Sequence, residues 1–359
     1  MVLKRLSINN FRIIEHIDIC LNPNINIFWG NNAQGKTSIL ESIFISGFSK
    51  SFKTNKISEV IQLNRSSSEI NSRFENNKVE HDLEFNITKD EKIIFLNNKK
   101  VEKISNFFGL IKPVIFSTEE IQLFKGTPAG RRSLIDRAVL QANSTYLHDF
   151  NVFLRILKQR NYLLKNKIYS QEFNIWTEKY IEIAAVVKNK RAEYINNILP
   201  LFKKCYGEIS KNNEVVSLIY PSFHSSLENL ENDLRDNIQK IKNKEIQYCT
   251  TLIGPHRDVI CFTLNDFDIK FASQGQQRSI ALAFKIAQLL DLSISSGNLP
   301  VLLIDDISSE LDMSRKDFLF RFLNSVNCQV FITTTDLSVF DKSSVSSSAC
   351  FNIKNGNIS

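Results

Sequence analysis

Glycine and proline are scarce, with 11 and 7 residues in a chain of 359. That excludes collagen-like repeats and linker-rich, low-complexity material. The six cysteines contain no CxxC pair. In a chain this long they read as scattered reduced thiols, so a disulfide scaffold and a zinc cluster are both set aside. No apolar run approaches the ~18 residues that a membrane span needs. The opening stretch Met1-Val-Leu-Lys-Arg-Leu-Ser-Ile lacks the apolar core and small-residue cleavage site of a signal peptide. These absences point to a cytoplasmic protein with no membrane partner. Zinc-finger, helix-turn-helix and RRM patterns are also missing, so nothing in the chain is built to read bases.

What is present has globular proportions: 43% hydrophobic and 23% charged residues, with 27 phenylalanines. This is too apolar for wholesale disorder. The length exceeds one ordinary compact domain. The net charge of +7 is compatible with a polyanionic partner without requiring one.

Periodicity divides the chain into three parts. In the first, Ile17, Ile19 and Leu21 alternate with Asp18 and Cys20 as a half-buried strand. Ile25–Trp29 is a strand that runs into Gly30, and a helix is expected from Lys36 to about Phe48. Residues 69–102 read as strands and turns, with a hairpin bend at Asn97-Asn98. From about Arg131 to Cys205 the period becomes helical. One helix is expected over 145–167. A longer one carries Phe173, Trp176, Tyr180, Ile183, Val187, Arg191, Tyr194, Ile198 and Phe202 on one stripe, with Pro200 able to kink or end it. Two such helices suggest a projecting helical arm, reaching roughly 45 Å for thirty residues. Ordinary packing of the helices on a sheet is the alternative. After 215 short strands return, around a polar helix at 226–247. Strands at 259–264, 268–272, 300–304 and 329–333 then bracket helices at 278–290 and 313–325. The expected architecture is an α/β head built from residues 1–125 and 250–359, with a helical domain inserted over 126–249.

Gly30-Asn31-Asn32-Ala33-Gln34-Gly35-Lys36-Thr37 satisfies GxxxxGK[ST] in full, with a strand before it and a helix after it. Such a loop turns backbone N–H groups inward to cradle phosphates, and the helix N-terminus adds its dipole. ATP is the expected ligand. Lys36 is expected on its β- and γ-phosphates and Thr37 on Mg2+. Leu302-Leu-Ile-Asp305-Asp306 is an apolar strand ending in two acids. It would deliver Asp305 to the magnesium's outer shell and Asp306 to the attacking water, to orient or deprotonate it. Ser273-Gln274-Gly275-Gln276-Gln277-Arg278 precedes a helix and offers a hydroxyl, a glycine N–H and a helix terminus to a γ-phosphate. Ser273, Gly275 and Gln276 are its candidate contacts. The order of these motifs matches the ABC ATPases, in which this last element completes the site of a second subunit. Ser309–Asp312 stands at the D-loop position.

At this point the chain resembles the RecF family of bacterial DNA replication and repair proteins, whose head is related to that of the SMC proteins. The resemblance runs over nearly the whole length. It rests on Leu6–Arg12, the P-loop, Gly126–Arg132, Gln159–Lys165, Gly254–Asp258, Ser273–Arg278, Asp305-Asp306 with Ser309–Asp312, and Thr333–Asp336. It implies an ABC-type ATPase head with a helical second lobe. Such a protein would dimerise around two ATPs, clamp single-stranded or gapped DNA, serve gap repair, replication restart and SOS induction, and work with RecO and RecR. Asp306 stands where ABC ATPases in general carry Glu, and Thr333–Thr335 where they carry His. Both departures imply slow hydrolysis. Val259 stands where a second Asp is expected.

Several residues keep two readings. His256 and Arg257 bond a phosphate or a dimer partner, or form a solvated turn. Phe11 and Arg12 pack near an adenine or belong to the core. Arg131 and Arg132 contact DNA, a partner subunit or Asp136. Residues 125–167 contain nine Lys or Arg against two acids, a net charge equal to that of the whole chain. Either this is a solvated helix face, or Arg155, Lys158 and Arg160 join Arg131 and Arg132 in a surface that binds phosphates without reading sequence. A transporter nucleotide-binding subunit and a P-loop small-molecule kinase are the alternative functions.

Overall fold

The computed structural model describes residues 1–210, 214–220, 226–296, 299–306, 313–326, 328–340 and 348–358. The D-loop position at 309–312 lies outside the described residues. The chain divides into two compact units, one of Met1–Gln122, Glu208–Lys211 and Gln274–Ser359, the other of Leu123–Gly207 and Asn212–Ser273.

The first unit is the α/β head. It opens with β1 (Val2–Phe11), β2 (Ile14–Cys20) and β3 (Ile25–Trp29), followed by helix α1 (Lys36–Phe48). Then come β4 (Ser67–Asn76), β5 (Val79–Thr88), β6 (Lys92–Leu96), β7 (Lys99–Lys100) and β8 (Pro113–Phe116). An antiparallel sheet runs β2-β1-β4-β5-β6-β7. Asn97 and Asn98 both take positive φ, at 50° and 62°, as the bend between β6 and β7 demands. The second sheet is completed from the far end of the sequence, by β12 (Val301–Ile304), β13 (Gln329–Thr334), β14 (Ala349–Lys354) and β15 (Asn357–Ile358), in the order β15-β14-β3-β13-β12-β8. From β14 to β8 its strands are parallel. Continuous apolar runs such as Val301–Ile304 are what a parallel sheet buried on both faces selects. Helices α7 (Gln274–Ser296) and α8 (Met313–Ser325) complete the head. One apolar cluster includes Leu6 and Phe74 of the first sheet and Leu303 and Phe331 of the second.

Helix α2 (Thr118–Lys125) spans the division between the units. The second unit carries α3 (Pro128–Ala142), α4 (Tyr146–Lys165), most of α5 (Gln171–Ser210) and α6 (Leu227–Tyr248). A small antiparallel sheet in the order β11-β10-β9 is made by β9 (Val216–Ile219), β10 (Cys261–Leu264) and β11 (Phe267–Asp268). Pro200 does not end α5, because Phe202, Cys205, Tyr206 and Ile209 keep the buried stripe going beyond it. Leu163 and Leu164 of α4 pack on Phe173 of α5, with Ile246 of α6 against them.

Three expectations are corrected. Residues 250–273 belong to the second unit and not to the head, because β10 pairs with β9 and β11 pairs with β10. The strand expected over 268–272 shrinks to Phe267–Asp268 and passes into a 3-10 turn, since Asp268 accepts the Lys270 N–H at 2.9 Å. Helix α7 starts at Gln274 instead of Arg278, which makes the Ser273–Arg278 motif its first turn.

Candidate nucleotide site

The loop between β3 and α1 is folded by its glycines. Gly30 takes φ 142°, and a Cβ there would lie 2.4 Å from the Ile353 carbonyl oxygen of β14. Gly35 takes φ 104° just before α1, where a Cβ would meet the Ile13 side chain. Only glycine enters both conformations freely. The loop is also tied to the β14–β15 turn, a contact that no local pattern announces. Gln34 accepts the Gly356 N–H on its carbonyl at 3.0 Å and the Asn355 N–H on its side chain at 2.6 Å.

Lys36 is buried, and its Nζ donates to the Gly30 and Asn31 carbonyls at 2.6 and 2.7 Å. Burial lowers its pKa, and the charges of Asp306 and Asp305 oppose that shift. Asp305, 268 positions from Thr37 in the chain, accepts its hydroxyl at 2.8 Å. Asp305 also accepts the Thr333 hydroxyl at 2.7 Å, and Thr333 in turn accepts the Asp306 N–H at 2.8 Å. Burial pushes the Asp305 carboxyl up from its ordinary value, and the bonds from Thr333 and Thr37 pull it back. Asp306 takes φ 50°, turning the chain out of β12.

These groups converge on a cavity of about 540 Å3 lined by Asn32, Ala33, Gln34, Gly35, Lys36, Thr37, Asp305, Asp306 and Thr333. Arg12, Lys53 and Thr54 also line it. Arg12 forks onto Glu41 of α1 at 2.7 and 3.0 Å, and Phe11 beside it is fully buried in the core. Thr333 was legible in the sequence only as a missing histidine. Its role, bracing both acids, comes from β13 lying beside β12.

Thr37 and Asp305 suit a hard cation. Magnesium takes one or two carboxylate or hydroxyl oxygens from protein and the rest from phosphates and water. No cluster of three or more His, Cys, Asp or Glu side chains able to hold a metal occurs among the described residues. Gly275 and Gln276 lie on the first turn of α7, outside the cavity, and Ser273 just before it is exposed.

The family described as "RecF/RecN/SMC N terminal domain" matches residues 2–358. The DNA replication and repair protein RecF of Syntrophotalea carbinolica is 38% identical over 359 residues, covering 100% of this chain and 99% of its own. That of Geotalea uraniireducens is 40% identical over 363 residues, covering 100% of both. The chain belongs to the RecF family. A solved structure of RecF with ATP, from the RecFOR pathway, matches with a TM-score of 0.90 at 30% identity over 99% of this chain and 98% of its own. An Smc head bound to the C-winged helix domain of ScpA reaches 0.58 at 15% identity over 100% and 96%, a likeness of fold alone. Membership of the family displaces the transporter-subunit and kinase readings. No helix among the described residues is long and apolar enough to cross a membrane, and all six cysteines are free thiols.

The basic residues of the second unit are sorted by burial. Arg160 is 1% exposed and donates to Glu245 at 2.6 Å, Thr251 at 2.7 Å and Thr177 at 3.2 Å, with its guanidinium over the Phe173 and Tyr180 rings. It is therefore a core ion pair and not a DNA contact. The signal was available, because Arg160 falls at helical spacing on the stripe of Phe153, Leu157 and Leu164. Arg131 is likewise buried, forking onto Asp268 at 2.9 Å on both nitrogens, and Arg132 donates to the Asp258 carbonyl at 2.8 Å. Asp136, the partner considered for the two arginines, is held by Arg191 at 2.7 and 2.9 Å. Arg155 and Lys158 remain exposed on α4. His256 is partly buried, bonded to the Thr251 carbonyl at 3.0 Å and packed beside Tyr180 and Phe153.

Proposed function

We propose that this chain is an ATP-binding protein of DNA replication and repair that uses ATP to join two copies around DNA. The observation that carries the reading is the Thr37–Asp305 hydrogen bond, which brings the phosphate loop and the acidic strand to one cavity. Its relative RecF has been solved with ATP as a recombination mediator of the RecFOR pathway, which supports ATP as the ligand and RecO- and RecR-type proteins as partners.

The loop N–H groups and Lys36 bind the triphosphate. Thr37 and Asp305 would hold Mg2+, which supplies charge neutralisation for the departing phosphates. Asp306 orients a water for in-line attack on the γ-phosphorus, and the proton passes to this carboxylate as ADP leaves. Thr333 keeps both acids aimed by bonding one side chain and the other's backbone. A carboxylate one methylene shorter than Glu reaches the water less closely, in keeping with slow turnover. The first turn of α7 offers N–H groups and a positive helix end to the γ-phosphate held by a second copy. DNA binding is then sequence-independent, and Arg155 and Lys158 are its candidate contacts on the second unit.

Light scattering with and without ATP tests the reading. The expected result is a monomer that doubles in mass with ATP, and an Asp306→Asn variant that stays doubled. An unchanged mass in both would overturn it. A parallel ATPase assay with and without gapped DNA should show turnover rising with DNA.

A further inference from the structure

The first turn of α7 has a neighbour that the sequence motifs do not include. Arg315, on the first turn of α8, donates from Nε to the Ser279 hydroxyl of α7 at 2.7 Å. Ser279 is buried. The other end of the same guanidinium lies over Gly275. A Cβ built there would stand 3.1 Å from Arg315 Nη2 and 3.8 Å from both Nη1 and Cζ. Such a distance is tighter than ordinary van der Waals contact. The glycine at 275 therefore makes room for an arginine from another helix, as well as for whatever approaches from outside.

Resting on the dimer reading above, we propose that Arg315 is a positioning residue of the α7 phosphate site. Its guanidinium fixes the first turn of α7 through Ser279 and adds a full positive charge beside the partial charge of the helix terminus. The ligand that this site takes is the γ-phosphate of an ATP bound by a second copy. The residue thus acts in trans. It serves the other subunit's nucleotide and leaves the chain's own P-loop untouched.

Complementation between variants tests this. Arg315→Ala should keep the ATP affinity of the wild-type subunit, because the cavity around Lys36 does not include it. Its ATP-driven dimer should dissociate about tenfold or more easily, the scale of one hydrogen bond to a charged group. Arg315→Lys should recover little, since an ammonium cannot hold Ser279 and reach over Gly275 together. Ser279→Ala should give a smaller loss of the same kind. Lys36→Ala should form no ATP-dependent dimer by itself. Mixing it with Arg315→Ala should restore association, because one composite site then has an intact loop from one chain and an intact α7 turn from the other. Restoration on mixing supports the trans role, and a folding defect would not complement. If Arg315→Ala alone dimerises with ATP like wild type, or if mixing restores nothing, the proposal fails. A wild-type chain that never dimerises on ATP would instead overturn the function on which it rests.

Discussion

Both units bury charged side chains, and those of the second unit and those of the head's nucleotide cavity serve opposite ends. In the second unit the buried charges close on one another: Arg160 on Glu245, Arg191 on Asp136, Lys188 on Asp258. In the head's nucleotide site, Lys36 bonds the carbonyls of its own loop, Thr37 and Thr333 bond Asp305, and all four still line a cavity of about 540 Å3. Burial costs either set its hydration. In the second unit the cost is offset by partners within the fold, so the charges specify packing. In the head it is offset in part by backbone carbonyls and hydroxyls, which leaves charge directed at a ligand.

The largest expected effect lies on the head. Lys36→Ala should reduce ATP affinity by about a hundredfold or more, since the loop loses the ammonium that meets the β- and γ-phosphates. Calorimetric titration checks this, and unfolding of the second unit should be unaltered. Wild-type affinity would remove the distinction drawn between the two units.

Arg160→Ala should destabilise by about 3–5 kcal/mol, the usual consequence of leaving one member of a buried pair uncompensated. Chemical denaturation measures it. A loss of DNA binding with undiminished stability would return Arg160 to the surface role that its burial denies.

Asp306→Asn should retain ATP while slowing hydrolysis by about a hundredfold, in line with the loss of a general base. Single-turnover phosphate release with nucleotide binding measured alongside would expose the opposite pattern.

Reversing only the exposed pair, Arg155→Glu with Lys158→Glu, should weaken binding to all DNA sequences alike. The slope of log affinity against log salt should fall by about one unit per lost phosphate contact. An unchanged affinity and slope would move the search to the head, beginning with Lys50, Lys53 and Lys56.

The smallest effect concerns His256. Burial lowers its pKa from 6.5, helped by Arg257 and Arg132 and opposed by the Thr251 carbonyl and Asp258. The unfolded chain therefore binds the proton more tightly. The stability tied to this neutral ring is present above pH 6.5 and lost as pH falls through 6.5 to the lower folded value. His256→Asn should flatten that dependence in melting curves taken across the window.

The phosphate loop was legible because its chemistry is local. Glycines at fixed spacing, a lysine and a threonine within eight positions suffice, and the flanking strand and helix follow from periodicity. The acidic strand was equally plain as a run of apolar residues ending in Asp305-Asp306. The reach of the helical region was overdrawn toward function, because counting charge over 125–167 ignores which helix face each residue occupies. Arg160 and Arg155 differ by five positions and by everything else, one buried in an ion pair and the other exposed. The second unit runs past 249 because β9 pairs with β10, joining residues some forty positions apart, which no local pattern encodes.

By itself the sequence determined the phosphate loop, the acidic strand, most helix positions and the family, since each is written in neighbouring residues or in ordered motifs. Tertiary structure decided the rest. It closed Asp305 onto Thr37, gave Thr333 its place between the two acids, seated the β14–β15 turn on Gln34 and brought Arg315 over Gly275. It also took Arg131 and Arg160 out of solvent. The physical reason is common to all of them. A hydrogen bond or an ion pair depends on distances of about 3 Å, and between residues far apart in the chain only the packed fold sets such distances.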